Sequence, residues 1–167
     1  MRILTYLLVL TFSINLYANQ GSSMNNPQKS SLERAAVLLP INNMFDAMRE
    51  HNGEKLLAQF VQGAMLERAN REDKIENSDL SKFAETVSTS KRELDEQIFN
   101  ITVKQSGNLA SVWTPFAFYL DGKLSHCGVN SFQLIKQQKG WKIRYLIDNG
   151  YHGDCEAFIA EHKALEK

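Results

Sequence analysis

The 167-residue chain has little of several features that would assign it to a specialised class. Its 19 basic and 19 acidic side chains cancel, so it offers no cationic excess to neutralise nucleic-acid phosphates. Three prolines and nine glycines exclude a collagen-like or proline-rich chain. Two cysteines exclude a disulfide-dense miniprotein but allow one bridge. Hydrophobic residues make up 43% and charged residues 23% of the chain, which is ordinary usage for a globular domain.

Several well-known functional motifs are also missing from the sequence. It contains no P-loop, no glycine-rich dinucleotide fingerprint, no metalloprotease helix motif and no nucleophile elbow. We therefore expect no cofactor, no resident metal and no nucleic-acid partner.

The first 18 residues have the pattern of a secretory signal peptide. Arg2 precedes a short apolar run from Ile3 to Ile14, and Ala18 supplies a small residue at a cleavage position. The run is shorter than the roughly 20 apolar residues of a membrane span, so an uncleaved anchor is the less favoured alternative. We predict a periplasmic or secreted protein with no membrane contact after cleavage. The polar residues 19–31 are predicted to form a flexible leader.

Helical periodicity marks the next part of the chain. Apolar residues from Leu32 to Met48 recur at helical spacing, with Ser31 as the expected N-cap. Pro40 is expected to kink or restart this helix because it cannot donate a backbone hydrogen bond. A short second helix is expected over 54–60.

Residues 64–69 are predicted to form a brief strand, and the charged residues 70–77 a loop. Ser78 or Asp79 then caps a third predicted helix, in which apolar residues recur at i, i+3, i+4 and i+7.

The period changes from helical to alternating after the third helix. One strand is predicted around Phe99 to Val103, followed by long strands over 109–120, 123–137 and 141–150. Asp121-Gly122 joins two of them and is a strong hairpin signal, because both positions tolerate positive φ. Helices followed by antiparallel strands predict an α+β fold, with the helices packed in the concave face of a curved antiparallel sheet.

Several stretches together carry a resemblance to a known superfamily. They are Asp46-Ala47-Met48, the run from Asp95 to Asn100, Ala110 to Phe116, Phe118 to Gly128, and Gly140 to Ile143. The chain resembles the nuclear transport factor 2-like superfamily, also called SnoaL-like or cystatin-like cone proteins, and more narrowly an exported branch labelled lumazine-binding. The resemblance implies one domain over 32–155, followed by a short helical tail over 156–167. It also implies an apolar pocket at the open end of a cone, and a homodimer formed through the outer face of the sheet.

The two cysteines, Cys127 and Cys155, are expected to form a disulfide, because cysteines of exported proteins usually pair. Antiparallel pairing of the last two strands places Cys127 opposite about residue 150, a few residues from Cys155. Two separate buried thiols are one alternative. A metal site that adds His126 and His152 to the two sulfurs is another, although adjacent strand residues point to opposite faces.

Candidate site residues come from the strands. His126 is a candidate general base, because imidazole titrates near neutral pH, but it could equally bond a loop carbonyl. Asp148, near a strand end, is the second catalytic candidate. Trp113, Tyr119, His126 and Tyr145 are candidate pocket walls, although aromatic residues also fill cores and dimer interfaces.

Three functional hypotheses follow from these residues. The first is an exported protein that binds a small apolar or aromatic molecule in its cone. The second is an isomerase, dehydratase or hydrolase that transfers protons with His126 or Asp148. The third is a dimerisation or interaction module. No pair of carboxylates at a telling spacing identifies a reaction, and fold alone does not assign one.

Overall fold

The computed structural model describes residues 27–70, 72 and 74–166. The predicted signal peptide and the first part of the predicted leader lie outside these residues and stay predictions. Within the described part of the chain, no helix is long and apolar enough to span a membrane. The elements, in chain order, are α1 (Pro27–Arg49), α2 (Gly53–Leu57), β1 (Phe60–Ala69), β2 (Ile75–Ser78), α3 (Leu80–Thr89), β3 (Leu94–Ile98), β4 (Thr102–Ser106), β5 (Leu109–Leu120), β6 (Lys123–Gln137), β7 (Gly140–Gly150) and α4 (Cys155–Ala164).

All seven strands form one curved, unclosed sheet in the order β2-β1-β7-β6-β5-β3, with β4 also paired to β5. The α+β class is therefore confirmed, with one correction. β1 pairs with β7 in parallel, so the sheet is mixed and not wholly antiparallel. Local sequence could not predict this pairing, because no turn connects the two strands and parallel neighbours need a long crossover.

The concave face of the sheet holds the main core. Helix α1 buries Val37, Ile41 and Phe45 against it. The Phe45 ring meets the Phe132 ring of β6 edge to face, with centroids 6.4 Å apart. Every second residue of a strand faces the same side, so this packing determines which residues of β5, β6 and β7 point inward.

The convex face carries a smaller core under α4. It buries Phe99, Ala117, Cys127 and Phe158. Cys127 and Cys155 form a disulfide with a Cα–Cα distance of 5.7 Å, as predicted. Because both sulfurs are in this bond, neither thiolate is available to the alternative metal site.

Two helix starts differ in how well the sequence predicted them. Within the described residues, helix α1 covers Pro27–Arg49, so residues 27–31 are helical and do not belong to a flexible leader. Ser31 is inside this helix and donates its hydroxyl to the Gln28 carbonyl at 2.8 Å, so it is not the N-cap. Helix α3 is capped by Asp79, which accepts from two backbone N–H groups, as predicted.

Helix α1 continues across the buried Pro40, so the helix does not restart there. Helix α4 occupies the C-terminal tail, with the Asp154 side chain as its N-cap.

The strand predictions were right for the long hairpins and for residues 64–69, which lie within β1, and wrong for two other short segments. Residues 75–78 form β2 instead of a loop, and the strand predicted around Phe99 to Val103 is interrupted between β3 and β4. Asn100, in that gap, has a φ of 45°, which is incompatible with a continuous strand. Asp121 and Gly122 have φ values of 52° and 71°, as the predicted hairpin requires.

Candidate functional site

A cavity of about 370 Å³ opens on the concave face, between helices α1 and α3 and the sheet. Half of its lining residues are apolar. They are Met44, Phe45, Met48, Leu66, Phe83, Val87, Leu94, Phe118 and Leu146.

The polar lining comes mainly from one part of the sheet. In the strand register, Glu96 of β3 lies opposite Phe118 of β5, and Phe118 lies opposite His126 of β6. Asn130, further along β6, lies opposite Asp148 of β7. Strand pairing therefore brings together a carboxyl, an imidazole and an amide that are far apart in sequence.

Glu96 is the most perturbed acid of the cavity. Asn130, itself only 3% exposed, donates its amide to Glu96 Oε1 at 2.7 Å. Burial raises the pKa of Glu96 to about 7, and the negative charge of Asp148 acts in the same direction. The Asn130 hydrogen bond and two arginines oppose this rise without cancelling it.

Arg49, one of those two arginines, bonds other acids. Its guanidinium donates to Asp95 at 2.7 Å and to Asp46 at 2.8 Å. Its remaining contact with Glu96 is to the backbone carbonyl, at 3.0 Å. Arg49 therefore holds strand β3 in place, and within residues 27–70, 72 and 74–166 the carboxyl of Glu96 has its hydrogen bond from Asn130 and forms no ion pair.

Arg68, the second arginine, pairs with Asp148 at the rim of the cavity. The guanidinium donates to the two carboxylate oxygens at 2.7 and 2.5 Å, a two-pronged geometry that strengthens the pair. This hydrogen bonding raises the pKa of Arg68 above its ordinary value. The Asp148 side chain is 16% exposed and that of Arg68 is 47% exposed, so the pair lies between the cavity and the solvent.

His126 lies against aromatic rings inside the cavity. Its ring centroid is 5.7 Å from that of Phe116 and 5.1 Å from that of Phe118. Burial lowers the pKa of His126, the positive charge of Arg68 lowers it further, and Asp148 partly offsets both effects. The imidazole is therefore neutral at pH 7 and can donate from one nitrogen and accept at the other.

Of the residues selected from the sequence, His126 and Asp148 both line the cavity. Trp113 and Tyr119 do not. They share one face of β5, but it is the convex face. There Trp113 is 54% exposed, and Tyr119 packs against the core under α4.

Tyr145 also lies away from the cavity, because a register shift in β7 reverses its side. Gln133 pairs with Tyr145 but Leu134 pairs with Ile143, so Arg144 is an extra residue. Alternation breaks at such a bulge, and Tyr145 points outward. Its hydroxyl donates to Glu67 at 2.5 Å, which raises the pKa of Tyr145 to about 12.

The sequence analysis missed three polar residues that line the cavity: Glu96, Asn130 and Arg68. Glu96 lies on β3, which carries no alternating pattern, and its partner Asn130 is 34 positions away. Arg68 meets Asp148 only through the parallel pairing of β1 and β7. The one available signal was the carboxylate of Glu96 within the stretch that carries the superfamily resemblance.

Comparison with known proteins identifies the fold. No protein-family model and no curated protein matches the sequence. Many solved structures match the fold. A Mycobacterium tuberculosis protein of unknown function aligns with a TM-score of 0.66 at 14% identity, over 86% of this chain and 89% of its own.

Two further matches come from Novosphingobium aromaticivorans. A candidate scytalone dehydratase aligns with a TM-score of 0.62 at 15% identity, over 77% of this chain and 93% of its own. A nuclear transport factor 2-like protein with a cystatin-like fold aligns with a TM-score of 0.59 at 14% identity, over 84% and 94% respectively. The chain therefore has the cystatin-like fold of nuclear transport factor 2-like proteins, as its resemblance predicted.

Proposed function

We propose that this protein binds a small, largely apolar molecule with one polar end in the cavity on its concave face. The observation that carries the proposal is a cavity whose lining is half apolar and half polar, with Glu96, His126 and Asn130 close together on the sheet. Its volume of about 370 Å³ lies within the roughly 300–1,000 Å³ of small-molecule sites, which combine apolar lining with a few convergent polar groups. The ligand's hydrocarbon part contacts the methionines and phenylalanines, and its polar end contacts Glu96, Asn130 and His126.

A cavity-filling variant tests this proposal. Leu94 lines the cavity, so Leu94→Trp fills part of its volume. Leu109 is 56% exposed on the sheet outside the cavity, so Leu109→Trp is the matched control. The probe is the neutral dye N-phenyl-1-naphthylamine, followed by fluorescence. We expect Leu94→Trp to weaken dye binding at least about tenfold, the loss that about 1.4 kcal/mol produces, and Leu109→Trp to leave it unchanged. Equal binding by both folded variants would contradict the proposal.

A second candidate function is proton transfer of the isomerase or dehydratase kind. It is favoured by Glu96, whose pKa is about 7, and by the neutral His126 on the other side of Phe118. A general base works best when its pKa lies near the working pH. Neighbouring strands are roughly 4.8 Å apart, so the two groups flank a site about 10 Å wide. A candidate scytalone dehydratase is among the proteins of similar fold.

Deuterium exchange tests the second candidate without knowledge of the natural substrate. The probe is 2-indanone, an apolar ketone whose acidic C–H protons exchange with solvent deuterium, as followed by NMR. If Glu96 removes these protons, Glu96→Gln lowers the protein-catalysed rate by about 10²–10⁴-fold. Glu161→Gln, on the exposed side of α4, is the matched control. A rate that is the same in the wild type and in Glu96→Gln would rule out Glu96 as the base.

We also propose that the protein is exported. The disulfide supports this, because such bonds persist in oxidising compartments. N-terminal sequencing of protein recovered outside the cytoplasm is expected to begin at Asn19, directly after Ala18. Recovery of a chain that retains Met1 would contradict cleavage.

A further inference from the structure

We propose that the ligand of this cavity carries a protonated amine, with Glu96 as its ionic partner and the ring of Phe118 beside it. This inference rests on the proposed binding function and names the chemical class of the ligand. It follows from the charges and the aromatic rings that face the cavity.

The charge balance of the lining is the first observation. Among the described residues that line the cavity, Arg68 is the one with a permanent positive charge, whereas Glu76, Glu96 and Asp148 carry carboxyl groups on this side of the sheet. The fourth acid of the lining, Glu67, directs its carboxyl to Tyr145 on the convex side. The guanidinium of Arg68 already donates two hydrogen bonds to the Asp148 carboxylate. The cavity therefore has more acidic than basic groups, and a cationic ligand would restore the balance.

The partners of the remaining carboxyls single out Glu96. Glu67 accepts the hydroxyl of Tyr145 on the convex side. Glu76 is exposed at the rim and accepts the Asn70 amide at 2.6 Å. Glu96 is the inner carboxyl, and its hydrogen-bond partner among the described residues is the uncharged Asn130 amide.

Aromatic rings supply the second observation. Phe45, Phe83 and Phe118 all line the cavity, and Phe118 is the cross-strand neighbour of Glu96. The face of an aromatic ring attracts a cation within about 6 Å of its centroid. A carboxylate beside a phenyl ring is thus suited to an ammonium group, and the apolar lining is suited to the hydrocarbon attached to it.

The same arrangement disfavours an anionic ligand. A ligand carboxylate placed near Asn130 would face Glu96 and, at the rim, Glu76 and Asp148. Repulsion between like charges is strong where water is partly excluded. Arg68 could receive such an anion only by giving up its two hydrogen bonds to Asp148.

Protonation of Glu96 gives the inference a pH signature. Burial raises its pKa to about 7, because Arg49 and Arg68 only partly offset the desolvation of the carboxyl. An ammonium beside the carboxyl would supply the missing positive charge and displace the proton. The charged and titratable groups that face Glu96 are Arg49 from α1, Arg68 from β1, His126 from β6 and Asp148 from β7, together with Glu76 from β2. His126 stays neutral above pH 7 because its pKa is lowered.

Three probes of similar size test the proposal by NMR titration at pH 8: 2-phenylethylamine, 2-phenylethanol and 3-phenylpropionate. We expect the amine to bind at least about tenfold more tightly than the alcohol, because it adds a charge-assisted hydrogen bond to Glu96. The carboxylate is expected to bind most weakly. Glu96→Gln should reduce the affinity for the amine to the level of the affinity for the alcohol. Glu161→Gln removes the same charge from the opposite side of the sheet and should change nothing.

Amine affinity should also depend on pH in a defined direction. The ionised fraction of a carboxyl with a pKa of about 7 rises about tenfold between pH 6 and pH 8. An alkylamine stays protonated over this range, since its pKa is close to the 10.4 or so of lysine. Amine affinity should therefore rise up to about tenfold in the wild type and stay flat in Glu96→Gln.

The outcomes separate this inference from the binding function on which it rests. If amine and alcohol bind equally and Glu96→Gln has no effect, the amine assignment is wrong and the binding function stands. If the carboxylate binds most tightly, the assignment is also wrong. If none of the three probes binds while the protein is folded, the proposed binding function is contradicted as well.

Discussion

Glu96 shows how one side chain can link stability, acidity and ligand preference. Its carboxyl is held by Asn130 inside the cavity, while the two nearest arginines are bonded to other acids. Desolvation disfavours the charged form of an acid, so the carboxyl holds its proton to higher pH. The same group that suits proton transfer or amine binding therefore costs the empty protein stability once it ionises.

At the residue scale we predict that Glu96 makes the protein less stable as the pH rises from about 4.5 to about 7. The pKa of Glu96 is raised from 4.5 to about 7 on folding, so in this interval the folded state binds more protons than the unfolded state. The free energy of unfolding must then fall with rising pH. We expect a loss of about 1–3 kcal/mol between pH 5 and pH 8, relative to Glu96→Gln.

Urea denaturation of the wild type and Glu96→Gln at both pH values measures this difference. The control is Glu161→Gln, whose difference from the wild type should be the same at pH 5 and pH 8. If the free energy of unfolding changes with pH equally in the wild type and in Glu96→Gln, then Glu96 has the pKa of an ordinary surface acid in the folded protein, and the prediction is wrong.

At the scale of elements, the close contact between β5, β6 and β7 depends on a residue without a side chain. Gly128 of β6 lies opposite Phe116 of β5 and Gly150 of β7. A Cβ at Gly128 would lie 1.9 Å from the Asn149 carbonyl oxygen and 2.9 Å from the Phe116 ring. A backbone atom cannot move aside as a flexible side chain can, so the three strands could not keep this register.

We therefore predict that Gly128→Ala destabilises the protein by about 2 kcal/mol or more, within or above the usual 1–3 kcal/mol cost of overpacking. Gly150→Ala is the matched control in the paired strand, since a Cβ there meets no atom within 4 Å. It should change stability by less than about 1 kcal/mol. Thermal and urea unfolding of the two variants measure the difference, and equal stability would show that β6 and β7 can separate without cost.

At the scale of the whole molecule, α4 covers only part of the convex face of the sheet. Trp113, Leu109 and Met65 remain 54%, 56% and 45% exposed. Cross-strand pairing through β7 and β6 places them on the same side of the sheet. Large apolar side chains exposed on one face are a feature of protein interfaces, and we therefore propose the homodimer through the convex face that the superfamily resemblance implies.

We predict that the wild type sediments as a dimer and that Trp113→Lys sediments as a monomer, because a buried lysine without a partner opposes association. Leu32→Lys is the control, since Leu32 is 66% exposed on α1 and away from this face. Analytical ultracentrifugation over a range of protein concentrations measures the oligomeric state of each variant. A wild type that stays monomeric at high concentration, or a Trp113→Lys variant that stays dimeric, would contradict this assembly.

The sequence by itself determined the features that depend on neighbouring residues. The alternation in β5, the hairpin at Asp121-Gly122 and the Asp79 cap arise from local backbone preferences, which a short stretch of chain expresses wherever it lies. The disulfide between Cys127 and Cys155 was also predictable, because one hairpin brings the two residues close.

Only the tertiary structure decided which residues form the site. The parallel pairing of β1 with β7 brings Arg68 to Asp148, and the register shift at Arg144 turns Tyr145 outward. The curvature of the sheet assigns Trp113 to the convex side and His126 to the cavity. Glu96 acquires its high pKa from burial in the folded protein, where it meets Asn130 from 34 positions away. Side-chain periodicity predicts which residues of a strand share a face. It does not predict which face becomes concave or which charged groups meet there, because both depend on packing between elements that are distant in the chain.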